Sequence, residues 1–180
     1  ATGPQVVYRE PLDSNPGWEY TGDWAFGQPQ GNDGDPNGGA TGTNVVGYNL
    51  NGDYPNNLGA MAMTTTPFDC SNLTGTTLRF QRWLAIESAA YDHASILASN
   101  DGGNSFTTIW DHSSGTFSDT SWIELEYDIS AIADGQPDVR ILHRMGTVVV
   151  VACLRAVLPD VADAADRVRP TGRRSRRGLG

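Results

Sequence analysis

The chain has 180 residues, enough for one domain with a core of its own, but only 38% are apolar, so that core must be economical. A net charge of −9 argues against a nucleic-acid surface, and no run of about 18 apolar residues offers a membrane span. Twenty-one Gly and ten Pro with no long helical periodicity exclude a helical bundle.

The first element expected is a strand over Gln5–Arg9 (QVVYR), ended by the turn DSNPGW. Trp18–Phe26 (WEYTGDWAF) is aromatic-rich and strand-like, and 27–43 forms a long polar loop that cannot bury its own backbone. Asn44–Leu50 and Ala60–Phe68 follow as short strands, separated by NGDYPNN. Thr77–Glu87 (TLRFQRWLAIE) and Tyr91–Ser99 (YDHASILAS) alternate with period two and read as neighbouring strands. NDGGNS, at 100–105, is a hairpin signal because Gly102 and Gly103 accept positive φ, and Phe106–Asp111 returns. Trp122–Ile129 and Val139–Met145 are strands, with a helical turn between them in SAIADGQPD. Many short strands with turns between them mean an all-β, jelly-roll β-sandwich of two antiparallel sheets. Phe80, Trp83, Ile86, Ile96, Ile109 and Ile141 are expected in its core.

Several groupings could carry chemistry. Glu87 and Asp92 flank a short connection, and Asn49, Asn51 and Asp53 make a second oxygen-rich loop. Carboxylate and amide oxygens are the ligands that Ca²⁺ takes, while the same residue types also cap turns through bonds to their own backbone. Glu124, Glu126 and Asp128 alternate along one strand and share a face, which suits either a solvated surface or the acid pair of a sandwich-fold glycosidase. His93 faces opposite to Asp92, and His112 and His143 stand alone; without HExxH or CxxC, zinc has no support. Five Trp could form a sugar-stacking platform, although strand patterns place most of them in a core. Two cysteines, Cys70 and Cys153, permit one disulfide and do not require it.

The segments GDWAFGQPQG, TNVVGYNLNGDYPNN, TTPFDCSNLTGTTLRFQRWLAIE, YDHASILASNDGGNSFTTIW and DISAIADGQPDVRI, taken in order, resemble a jelly-roll module of bacterial secreted proteins. It is similar to the MAM-like sandwich and to the jelly-roll domain of immune inhibitor A-like metallopeptidases, over roughly residues 5–146. The resemblance implies a non-catalytic accessory or adhesion module, often with a structural Ca²⁺, for which Glu87, Asp92, Asp53, Asn49 and Asn51 are the candidate ligands. It implies a secreted, extracellular location, and partners among the other domains of a parent protein, a polysaccharide or a cell-surface protein. The opening ATGPQVVYREPL, without an initiator Met, is expected to be cut from that longer chain. The alternatives are a carbohydrate-binding module, which needs two exposed Trp or Tyr on one face, and a glycosidase using Glu124 and Glu126.

The end of the chain departs from the resemblance. That family closes with a strand like WxYCGWNIDDV, whereas here VVVVACLRAVLPDVADAADRVRPTGRRSRRGLG follows Thr147. Residues 1–147 hold 18 acids and five Arg, net −13; residues 148–180 hold three acids and seven Arg, net +4. A shifted reading frame in a GC-rich gene would yield such a tail. The expected organisation is a sandwich domain over 1–147, completed by 148–157 if that β-branched run pairs, and a basic disordered tail over 158–180.

Overall fold

The computed structural model describes residues 3–55, 58–145 and 149–157. The basic tail, 158–180, lies outside the described residues, as does the expected site of a frame change at 147.

The described chain folds as a sandwich of antiparallel sheets. One sheet contains β1 (Gln5–Arg9), β3 (Trp24–Gly27), β4 (Val45–Tyr48), β6 (Thr74–Trp83), β11 (Ile123–Asp128) and β13 (Val149–Val157). Its order is β11-β6-β13-β4-β3, with β1 also paired to β13. The second sheet contains β2 (Glu19–Tyr20), β5 (Met61–Thr64), β8 (Ser95–Ser99), β9 (Thr107–Asp111) and β12 (Arg140–Met145), in the order β2-β5-β12-β8-β9. A short ribbon joins β7 (Ala85–Ile86) to β10 (Phe117–Ser118), and one helical turn, α1 (Ser130–Ala133), precedes β12. No helix among the described residues is long and apolar enough to cross a membrane.

The core lies where the inward faces meet. Val46, Tyr48, Leu78 and Phe80 from the six-stranded sheet pack with Met63, Ile96, Ala98 and Ile141 from the five-stranded one. Strand β6 shows the cause most plainly. Thr76, Leu78, Phe80 and Arg82 are buried, and the residues between them are half-buried, which is the period-two pattern of a strand with one face on a core. Ile86, like Phe80, Ile96 and Ile141, is buried as expected, whereas Ile109 is half-buried.

Three local readings change in three dimensions. Trp18–Phe26 divides into β2 and β3, which lie in different sheets, because the chain turns at Thr21–Asp23 with Gly22 at a φ of 62°. Strands β6 and β8 are not neighbours: β8 pairs with β12 and β9, and β6 pairs with β11 and β13. The short ribbon β7–β10 carries the chain between the two sheets. Trp83 is half-buried and stands outside the core cluster. It lies an odd number of residues from Phe80, so a regular strand must put the two on opposite faces.

β13 runs between β6 on one side and β4 and β1 on the other; Val149 is opposite Trp83, Ala152 opposite Phe80 and Arg155 opposite Thr77. A β-branched run therefore occupies the middle of the sheet, where backbone groups need partners on both sides. Cys70 is a buried, free thiol, and burial, followed by Asp69 and Asp134, pushes its pKa up to about 11. The side chain of Cys153 lies outside the described residues.

Candidate binding face

The outer face of the six-stranded sheet is built by the residues that β6 and β11 turn away from the core. In β6 these are Thr77, Arg79, Gln81 and Trp83; in β11 they are Glu124, Glu126 and Asp128. Antiparallel register sets Glu124 opposite Gln81 and Glu126 opposite Arg79. Arg79 forms ion pairs with both Glu124 and Glu126, the latter at 3.6 Å, and Gln81 Nε2 donates to Glu124 Oε2 at 3.1 Å. The two glutamates remain about half exposed, at 47% and 52%. Such a pair adds little stability in water, but it holds four polar side chains in one arrangement.

Two tryptophans stand at the end of this polar row. Trp122 precedes Ile123, whose partner is Arg82, so continued register brings Trp122 beside Trp83. The rings meet edge to face, with centroids 5.8 Å apart and planes at 69°. Trp83 Nε1 donates to the Gly34 carbonyl at 3.0 Å, so the 27–43 loop fixes the indole and bounds the face. Both rings are half-buried: Trp122 also packs against the core cluster, whereas Trp83 stands outside it. Arg79 and Gln81 were not singled out from the sequence. Their parity with Trp83 was visible there, and it is what places them on this face.

Behind the face, at the margin of the sandwich, Arg82 makes a shielded ion pair with Asp119. Arg82 Nε lies 3.1 Å from Asp119 Oδ2, the side chains are 10% and 12% exposed, and the guanidinium sits 4.8 Å from the Phe117 ring centroid. The same carboxylate accepts from the Leu84 backbone N–H at 2.9 Å. This group holds the exit of β6 in place.

The candidate calcium ligands lie on two loops. Asn49, at a φ of 46°, donates from Nδ2 to the Asp53 carbonyl, and the Asn51 carbonyl accepts from Asn32 Nδ2 at 2.9 Å. Asp92 accepts a hydrogen bond from the Tyr54 hydroxyl, which ties the 49–54 loop to the 88–94 connection. Glu87 is exposed at the end of β7. Asp35 is pushed up to about 6 by burial first and then by the nearby charges of Asp53 and Asp33. The oxygen donors are right in kind for Ca²⁺, yet among the described residues no three His, Cys, Asp or Glu side chains are gathered to hold a metal ion.

Each histidine has a plain placement. His93 is exposed, His112 is buried with its ring nitrogens near the Asp92 and Gly115 carbonyls, and His143 is buried in the core. A cleft of about 490 Å³ beside β1 is lined by Val6, Tyr8, Phe68, Cys70 and Leu73, with Asp69 as its charged residue.

Among solved structures, sandwiches similar to this one include adhesin domains and carbohydrate-binding modules. The K2 cleaved adhesin domain of Lys-gingipain superposes with a TM-score of 0.55 at 13% identity, covering 86% of this chain and 100% of that one. The K1 adhesin domain of the same protein, from Porphyromonas gingivalis W83, gives 0.51 at 16% identity, over 87% and 99%. The C-terminal family 22 carbohydrate-binding module of Clostridium thermocellum Xyn10B gives 0.52 at 13% identity, over 88% and 98%. At these identities the likeness establishes the fold. No protein-family model and no curated protein matches the chain.

Proposed function

We infer that this chain is a non-catalytic binding module of a larger secreted protein, of the MAM-like or immune inhibitor A-like type, serving an enzyme or an adhesin. The observation that carries this reading is the state of the outer-face acids. A glycosidase sets two carboxyl groups on opposite sides of the scissile bond. Glu124 and Glu126 instead neighbour each other on one strand, and a single guanidinium bridges them. The surface they form is suited to contact rather than to bond cleavage. Its partners are the other domains of the parent protein together with a polysaccharide or a cell-surface protein.

Calcium belongs to this reading as a stabilising ion. The 49–53 loop and Asp92, already joined through Tyr54, supply the oxygens, with Glu87 at the neighbouring turn. The ion adds no chemistry to binding.

The test incubates the full chain with immobilised polysaccharides and with protein-coated surfaces while released reducing sugar is measured. Retention on either surface without release supports the reading. Release of reducing ends that Glu124→Gln abolishes would replace it with the glycosidase.

A further inference from the structure

We propose that the outer face of the six-stranded sheet is a glycan-binding site for a neutral polysaccharide, with Trp83 and Trp122 as the stacking residues and Gln81 and the Arg79–Glu124 pair as the hydrogen-bonding residues. The inference rests on the binding-module reading and gives that module a ligand class and an address.

The first argument concerns aromatic placement. Tryptophan on a strand normally serves the core, but Trp83 stands outside the core cluster. It is held by its own hydrogen bond to Gly34 and by the edge of Trp122. A large apolar ring kept at a surface in one fixed pose gives up burial, and contact with a partner recovers it. The two rings meet at 69°, so they form an angled notch and not a flat plate. A sugar ring fits such a notch: its C–H face lies on one indole and its edge meets the other.

The second argument concerns the polar row beside the notch. Gln81 offers an amide, and Glu124 offers carboxylate oxygens whose direction Arg79 and Gln81 fix. Sugar hydroxyls both donate and accept, so a row that mixes amide, carboxylate and guanidinium matches them without demanding a charge. Trp122, Glu124 and Glu126 share one face, as do Arg79, Gln81 and Trp83 opposite them, so a linear chain can run from the notch along the strands.

Charge decides the ligand class. Arg79 already faces two carboxylates, so it is not free to neutralise an anion. Asp33, Asp35 and Asp53 lie on the loops that bound or adjoin the Trp83 end, close enough to one another to shift Asp35. A polyuronate or sulfated glycan would meet repulsion on this acidic surface, and a neutral chain would not.

The experiment is affinity electrophoresis of the full chain in gels containing soluble xylan, mixed-linkage β-glucan or galactomannan, with polygalacturonate as the anionic probe. Retardation by at least one neutral polymer and none by polygalacturonate is expected. Trp83→Ala and Trp122→Ala should each weaken retardation about tenfold or more, as truncation of a central aromatic anchor does. Gln81→Ala leaves both rings in place and should weaken retardation by a smaller factor, so the site can be tested even if a tryptophan variant misfolds. Tyr91, 76% exposed and on neither β6 nor β11, is the control, and Tyr91→Ala should bind as the parent does. Retardation that survives all three face variants, or that is lost in Tyr91→Ala, overturns the site and leaves the module reading intact. Retention on protein-coated surfaces without retardation by any polysaccharide overturns the ligand class and again leaves that reading standing. Failure to bind either kind of surface ends both.

Discussion

His143 makes the stability of this domain depend on pH. The residue is 1% exposed, at a register position between Met63 and Ile96, and meets the Phe80 ring edge to face at 5.4 Å. Among the described residues its Nδ1 has no hydrogen-bond partner. Burial pushes its pKa from 6.5 down to about 3, because a charged imidazolium has nothing to solvate it there. Below pH 6.5 the unfolded chain therefore takes a proton that the folded chain refuses until about pH 3. The unfolded state binds more protons throughout that window, so stability falls as the pH falls through it and is fully recovered above it. With about 1.4 kcal/mol per pKa unit, the loss is about 2 kcal/mol at pH 5 and approaches about 5 kcal/mol below pH 3. A typical domain has about 5–15 kcal/mol in total.

Other groups shift in ways that can be separated from this. Asp35, raised to about 6, keeps its proton longer in the folded chain and so acts in the opposite direction, weakly because it is half in solvent. Asp69, Asp101, Asp128 and Asp134 are all held below the ordinary carboxylate value, so their contribution is lost only at lower pH. The assay is urea unfolding of the parent and of His143→Leu, stepped from about pH 7.5 to about pH 4.5. Relative to the leucine variant, which keeps the Asp35 contribution, the parent should lose about 2 kcal/mol by pH 5. Equal slopes in the two proteins would refute the argument.

Three more outcomes follow from particular contacts. Asp119→Ala leaves the Arg82 guanidinium buried without its partner and the Leu84 N–H unbonded, and should cost about 3–5 kcal/mol in urea unfolding; a cost typical of surface pairs would contradict the shielding of that pair. Gly103→Ala has room, since the new Cβ would come no closer than 3.5 Å to Arg140 Cδ, but a φ of 88° should cost about 1–2 kcal/mol through backbone strain, measured the same way. Added Ca²⁺ should raise the melting temperature and a chelator should lower it, with Asp92→Ala removing the response; identical melting curves with and without chelator would reject calcium.

The sequence by itself determined what depends on near neighbours. Alternation along 77–83 and 122–128 is a backbone property, because successive side chains leave opposite faces of any strand. The turn at Gly102 and Gly103 and the single helical turn at Ser130–Ala133 are equally local. Trp83 was expected in the core on its aromatic character, and its odd spacing from Phe80 instead puts it on the face of Arg79 and Gln81. Tertiary structure decided which strands meet. Only pairing across some forty residues brings Trp122 to Trp83 and Glu124 to Arg79, and only the crossover at β7 puts β6 and β8 in different sheets. His143 gives no local sign that it will be enclosed, because the walls of its cavity come from β5, β6 and β8. Strand partners are set by how buried faces match across the whole sandwich, and that match is a sum over contacts distant in sequence, which no single stretch of the chain contains.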